Sequence, residues 1–285
     1  MMEALEVVPQ RLSKELRQYA QTMSRDEARF LVDAYYNVQK ARIQTGNRRF
    51  AGKARDEPAY PLLDWLTANL RPLEGFIVPA LEHYADGQAV GRWAMSICGI
   101  GPVLSAGLLA EIDIEQAPTV GHIWRFAGLD PTCEWGKGEK RPWNARLKTL
   151  CWKIGESFVK VSGNEKDVYG HVWAERKALE QARSDTGESA DDAAAVLERR
   201  PTHKQRATYA EGKLPQGHIH ARAKRYAVKL FLAHWHHVAY ESINGEPPPK
   251  PYVLEHGGHS HFIAPPGYDA TQTRVNGPGR DARGE

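Results

Sequence analysis

The sequence predicts a mostly α protein: a helical bundle around a helix–hairpin–helix core, with an irregular proline- and glycine-rich C-terminal tail. Three observations carry this. Apolar residues recur at helical spacing through several long stretches. No series of alternating strands interrupts them. And SICGIGPVLSAGLLAEI, residues 96–112, places a Gly-Ile-Gly-Pro turn between two apolar segments.

Taken in order, residues 1–90 read as a helical N-terminal region. Ser24 followed by Glu27 is a capping box, and Phe30, Leu31, Ala34, Val38 and Ala41 then recur on one helical face. Asn47 to Pro61 is polar and glycine-bearing and is expected to be a loop. Residues 60–84 give two shorter helical pieces joined near Pro72, with a kink or restart at Pro79. Residues 91–165 form the hairpin domain. Its clearest helix, 144–162, places Leu147, Leu150, Cys151, Ile154, Phe158 and Val161 on one face. Residues 166–245 continue in helix: 167–200 with an exposed bend at Ser184–Asp192, then a long helix over 217–244. That last helix is apolar around much of its circumference, and it stops at Gly245 before three prolines. Residues 246–285 form the tail, with disorder expected from about residue 269.

A chain of 285 residues can bury a sizeable core in one or two domains. Its 41% hydrophobic and 26% charged content is ordinary for a soluble globular protein, and a net charge of +3 says little about partners. No apolar run reaches the roughly 18 residues that a membrane span requires. The first residues, MMEALEVVPQRLSKEL, are unlike a secretory signal. Cys98, Cys133 and Cys151 lie at wide, unpatterned spacings, so neither a disulfide framework nor a zinc ribbon is expected, and a cytoplasmic location is.

In the hairpin, Gly99 and Gly101 are able to take positive φ, and Pro102 suits the first position of a new helix. Amides around Gly99, Ile100, Gly101 and Val103 would then face outward together and suit a DNA phosphate, without reading sequence. A plain helical corner is the other use of such a turn.

SICGIGPVLSAGLLAEID, then WRFAGLDP, then a glycine- and lysine-bearing stretch, then NARLKTLCWKIGES follow one another in a recognisable order. Together they resemble the C-terminal domain of the DEDD-type insertion-sequence transposases, the group that includes the Piv and MooV invertases. The resemblance covers residues 92–160 and implies DNA as partner and DNA transposition or site-specific recombination as role. Two departures stand against a complete cutting apparatus. The family's N-terminal RuvC-like domain holds metal ions with four acids on a β-rich scaffold. Here Asp26, Asp33, Asp64 and Glu74 lie in helical sequence and read as solvent-facing charges. The family's nucleophilic serine is replaced by Trp135 or Gly136, and neither Thr132 nor Cys133 falls in register.

The charge distribution supports nucleic-acid binding. Arg146, Lys153 and Lys160 are spaced by sevens opposite the apolar face of 144–162, and Lys137, Lys140 and Arg141 precede them, with Trp135, Trp143 and Trp152 interleaved. From Arg199 to Lys229 there are nine lysines and arginines against one acid, Glu211. Arg222, Arg225 and Lys229 share a face of the long helix, with His236 further along. Such a row calls for an anionic partner, DNA or structured RNA, unless the acids of residues 175–198 neutralise it.

Eight of the twelve histidines follow residue 217. His234, His237 and Glu241 on the long helix, with His256, His259 and His261 from HGGHSH, would suit a divalent metal if the tail folds back; packing histidines are the alternative. The expected function is therefore a DNA-binding protein of the insertion-sequence transposase type in a mobile-element or phage setting, a homo-oligomer in one arrangement, without independent strand cleavage and with no required cofactor. The competing readings are a metal-dependent nuclease or recombinase using the C-terminal histidines, and a non-catalytic protein-interaction module.

Overall fold

A computed structural model describes residues 11–54, 61–136, 138–249 and 263–268. Among these residues there are eleven α-helices, one short 3-10 turn and no strand, as expected of a mostly α chain. The chain divides into two compact units, residues 1–95 with 101–113, and residues 96–100 with 114–285. The seam crosses the Gly-Ile-Gly turn itself.

The first unit contains α1 (Lys14–Ala20), α2 (Arg25–Ala54), α3 (Pro61–Asp86), most of α4 (Ala89–Ser96) and α5 (Pro102–Glu111). The capping box opens α2 as expected: the Ser24 amide donates to Glu27 Oε2 at 2.7 Å, and the Glu27 amide to Ser24 Oγ at 3.2 Å. Two expectations are corrected here. Residues 47–54 are not loop, because α2 runs on to Ala54 alongside α3, with Arg49 paired to Asp64. Residues 61–86 form one helix with Pro72 and Pro79 inside it, so packing against α2 and α5 outweighs the lost backbone bonds. Glu74 is also not a solvent-facing charge. It is buried between the helices, where Arg42 and Gln39 bond its carboxylate and Arg42 holds its pKa down. At the far end Arg29 donates to the Ala110 carbonyl at 2.8 Å and pairs with Glu111, fixing the end of α5.

The second unit contains α6 (Val120–Phe126), α7 (Ala145–Val161), α8 (Tyr169–Asp185), α9 (Ala190–Arg199), α10 (Arg206–Ala210) and α11 (Gln216–Asn244). The 144–162 helix forms as read, with Asn144 Oδ1 capping the amides of Arg146 and Leu147 at 2.8 and 3.0 Å. Its apolar face meets α8 and α11. There Phe158 stacks on Tyr169 at 4.9 Å, and both rings meet Phe231 edge-on. The expected exposed bend at Ser184–Asp192 is exposed over residues 185–188 and 190–192, with two exceptions. Ser184 and Ser189 are buried, and Ser184 Oγ accepts the Leu214 amide at 2.9 Å. Gly245 at φ 74° ends α11, its amide bonded to the Glu241 carbonyl at 2.9 Å. The tail beyond 268, where disorder was expected, lies outside the described residues.

Candidate nucleic-acid interface

The hairpin uses one of its glycines for chirality and the other for access. Gly99 sits at φ 92°, and a Cβ there would meet Val161 Cγ2 at 3.1 Å and Ser157 Oγ at 3.3 Å on α7. Ser157 Oγ also donates to the Gly99 carbonyl at 2.5 Å, and Ile100 is buried. Gly101 is extended at φ −94° and exposed, with no atom within 4 Å of where a Cβ would stand. Pro102 brings no donor, and the Leu104 and Ser105 amides both close on the Gly101 carbonyl. The Ile100 amide closes on the Ile97 carbonyl at 2.9 Å, so of the expected set the Gly99, Gly101 and Val103 amides bond no other backbone group among the described residues. The Val103 side chain itself is buried.

The cations of the second unit sort into two sets. Arg222 is engaged by acids: its guanidinium reaches Asp192 at 2.7 Å and Glu180 at 3.4 Å, and the buried Glu180 also holds Arg176. It is thus an internal tie among α8, α9 and α11. Lys224 is paired with Glu156 in the same way. By contrast, among the described residues no carboxylate forms an ion pair with Lys140, Arg141, Lys148 or Arg225. All four are exposed.

Lys148 joins this set, and the sequence reading did not select it. Its ammonium lies 3.9 Å from the centre of the Trp143 ring, and Arg141 lies over Trp135 at 5.7 Å. The two indoles meet edge-on at 5.9 Å. Gly128, at φ 64°, makes room, since a Cβ there would stand 2.8 Å from Trp143 and 3.2 Å from Lys148. Partial burial, then repulsion from Arg141 and Arg225, holds the Lys148 ammonium below the ordinary lysine range. The loop before α7 and the start of α11 thus bring like charges to the same place. Lys229 lies 4.2 Å from the Trp124 ring centre, and Trp124 Nε1–H donates to the Lys229 carbonyl at 3.1 Å. Burial lowers the Lys229 pKa, opposed by Asp130. Arg146 is exposed and Lys153 half-buried on α7, the latter lowered by burial and by Lys160. Lys137 lies outside the described residues.

The positions tied to cutting chemistry are otherwise occupied. Asp26 pairs with Arg29 and Asp64 with Arg49, both within helices. The amide and hydroxyl of Thr132 both donate to Asp130 Oδ1, at 2.9 and 2.8 Å, and hold its pKa down.

The proposed metal set is corrected at His234. This side chain is buried, with Tyr169 Oη 2.7 Å from Nδ1 and the Ile263 carbonyl 2.9 Å from Nε2. A carbonyl only accepts, so Nε2 carries the proton and Nδ1 accepts from the tyrosine, which leaves no lone pair for a metal. Burial lowers its pKa to about 4. His237 pairs with Glu241 at 3.3 Å, and its ring lies edge-on to Tyr268. His256, His259 and His261 lie outside the described residues, among which no group of three or more metal-ligating side chains gathers. Residues 263–268 do return to α11, but as packing for its histidines.

No described helix is long and apolar enough to cross a membrane. No curated protein and no solved structure matches the chain. Residues 91–148, from α4 through the hairpin and α6 to the first residues of α7, match the model of the Transposase IS116/IS110/IS902 family, so this stretch is a transposase-related domain.

Proposed function

We propose that the protein binds DNA in transposition or site-specific recombination of a mobile element, gripping phosphates and leaving strand cleavage to other components. The observation that carries this is the exposed group Arg141, Lys148 and Arg225, with Lys140 beside it, which no carboxylate pairs among the described residues. Like charges held together by a fold cost it stability, and a polyanion relieves that cost. The match of residues 91–148 to a transposase family supports DNA as the polyanion. In this reading Arg146, Lys153 and Lys229 extend the grip, and the open Gly101 and Val103 amides hold a further phosphate in the manner of a helix–hairpin–helix. The absence of cleavage is proposed because Trp135 and Gly136 stand where the resembling family has its serine, and because Asp64 and Glu74 are held by arginines.

A gel-shift assay with duplex and single-stranded DNA, with and without magnesium or manganese, tests the proposal. Retardation without cleavage is expected, weakened by Lys140→Glu with Arg141→Glu. Cleavage would transfer the protein to the nuclease class, and absence of retardation would leave an interaction module.

A further inference from the structure

The same face carries something that phosphate binding does not require: exposed indoles. Trp152 is 58% exposed and Trp135 43%, although large aromatic side chains ordinarily bury most of their surface. Trp135 is also held rigidly. Its Nε1–H donates to the Glu139 carbonyl at 2.8 Å, and its ring rests edge-on against Trp143. Trp152 lies one helical turn beyond Lys148 on α7, so the two side chains are neighbours on the helix surface. Lys224 lies over the Trp152 ring at 5.6 Å while its own charge is answered by Glu156. The order across the face is therefore indole, unanswered cations, indole: Trp135, then Arg141 with Lys148 and Arg225, then Trp152.

We infer that this face takes an unpaired polynucleotide strand, whose bases stack on Trp135 and Trp152 while Arg141, Lys148 and Arg225 hold its phosphates. The inference rests on the nucleic-acid reading above and names the form of its ligand. Bases in a duplex are stacked on one another and offer no free face to a flat ring, whereas every unpaired base does. Stacking is tolerant of sequence, which fits a face whose cations show no arrangement for reading base edges. Aromatic rings already fixed in place also lose little freedom when a base settles on them.

The test is fluorescence anisotropy of the full chain with labelled oligo-dT, oligo-rU and a blunt DNA duplex, alongside quenching of intrinsic tryptophan emission. Trp152→Ala and Trp135→Ala are each expected to weaken binding of an unpaired strand by roughly five- to 150-fold, with duplex affinity unchanged. Trp152→Phe, which keeps a π-face, should recover part of the loss, and a bound strand should quench the native protein more than Trp152→Phe. The oligo-dT and oligo-rU arms tell whether DNA or RNA supplies the strand. Thermal melts of each variant separate lost stacking from lost folding, and the exposed Trp152 is the safer of the two sites. Unchanged strand affinity in folded Trp152→Ala, or equal losses for strand and duplex, would overturn the inference. The nucleic-acid reading would survive that result if Lys148→Glu still abolished binding. If the native chain bound none of the three probes, that reading itself would fall.

Discussion

Arg222 and Arg225 stand three residues apart on the same helix and have opposite surroundings. On the side of α8 and α9, Arg222 is enclosed by Glu180 and Asp192. On the side of α7, Arg225 is exposed and faces the like charge of Lys148. The first arrangement stabilises the fold, and the second sets like charges against one another. A row of cations along a helix therefore does not reveal which of them are available; the neighbouring helices decide.

The largest effect expected from this contrast belongs to the buried side of α11. His234 is held neutral with its pKa lowered to about 4, chiefly by burial. An unfolded chain takes up a proton near the ordinary histidine pKa of about 6.5, and the folded chain does not. Stability is therefore full above that value and falls as pH drops toward the folded pKa, by about 3 kcal/mol across the window. His236, also lowered by burial, contributes with the same sign. Urea unfolding at about pH 7 and about pH 4.5 measures the loss, and His234→Gln should remove most of it. An equal pH dependence in that variant would contradict the assignment.

Arg222→Ala comes next. It leaves the buried Glu180 with Arg176 as its remaining partner, at a cost of about 1–3 kcal/mol in unfolding free energy. DNA affinity should change little. A variant that kept its stability but lost binding would reverse the roles given to the two arginines. Arg225→Glu is the mirror image and the smallest effect: near-native stability, with about tenfold weaker DNA binding, equivalent to about 1.4 kcal/mol.

Local signals were legible in the sequence where one segment contains the whole cause. The Ser24–Glu27 box, the Asn144 helix with its apolar face, and the Gly245 stop are all of that kind. The extent of α2 and the continuity of α3 through two prolines were not, because each is decided by packing against the other and against α5. The candidate site was half legible for the same reason. Arg141 and Arg225 stood out as cations, but Lys148 lies off the row formed by Arg146, Lys153 and Lys160. It gains its place from Trp143, Gly128 and Arg225, which only the packed unit brings to it. Glu180 was one of three acids on α8 until Arg176 and Arg222 converged on it. His234 resembled a ligand by spacing alone, and Tyr169 and Ile263 make it a packed, hydrogen-bonded side chain.

The most direct measurement is the salt dependence of DNA affinity, compared between the native chain and Arg141→Glu/Lys148→Glu/Arg225→Glu. The native protein should lose affinity linearly on a log–log plot, with a slope of about −0.9 for each phosphate neutralised, and the triple variant should flatten that slope by roughly three phosphates' worth. A native slope near zero, or one that the three substitutions leave unchanged, would contradict the claim that these cations are the protein's grip on DNA.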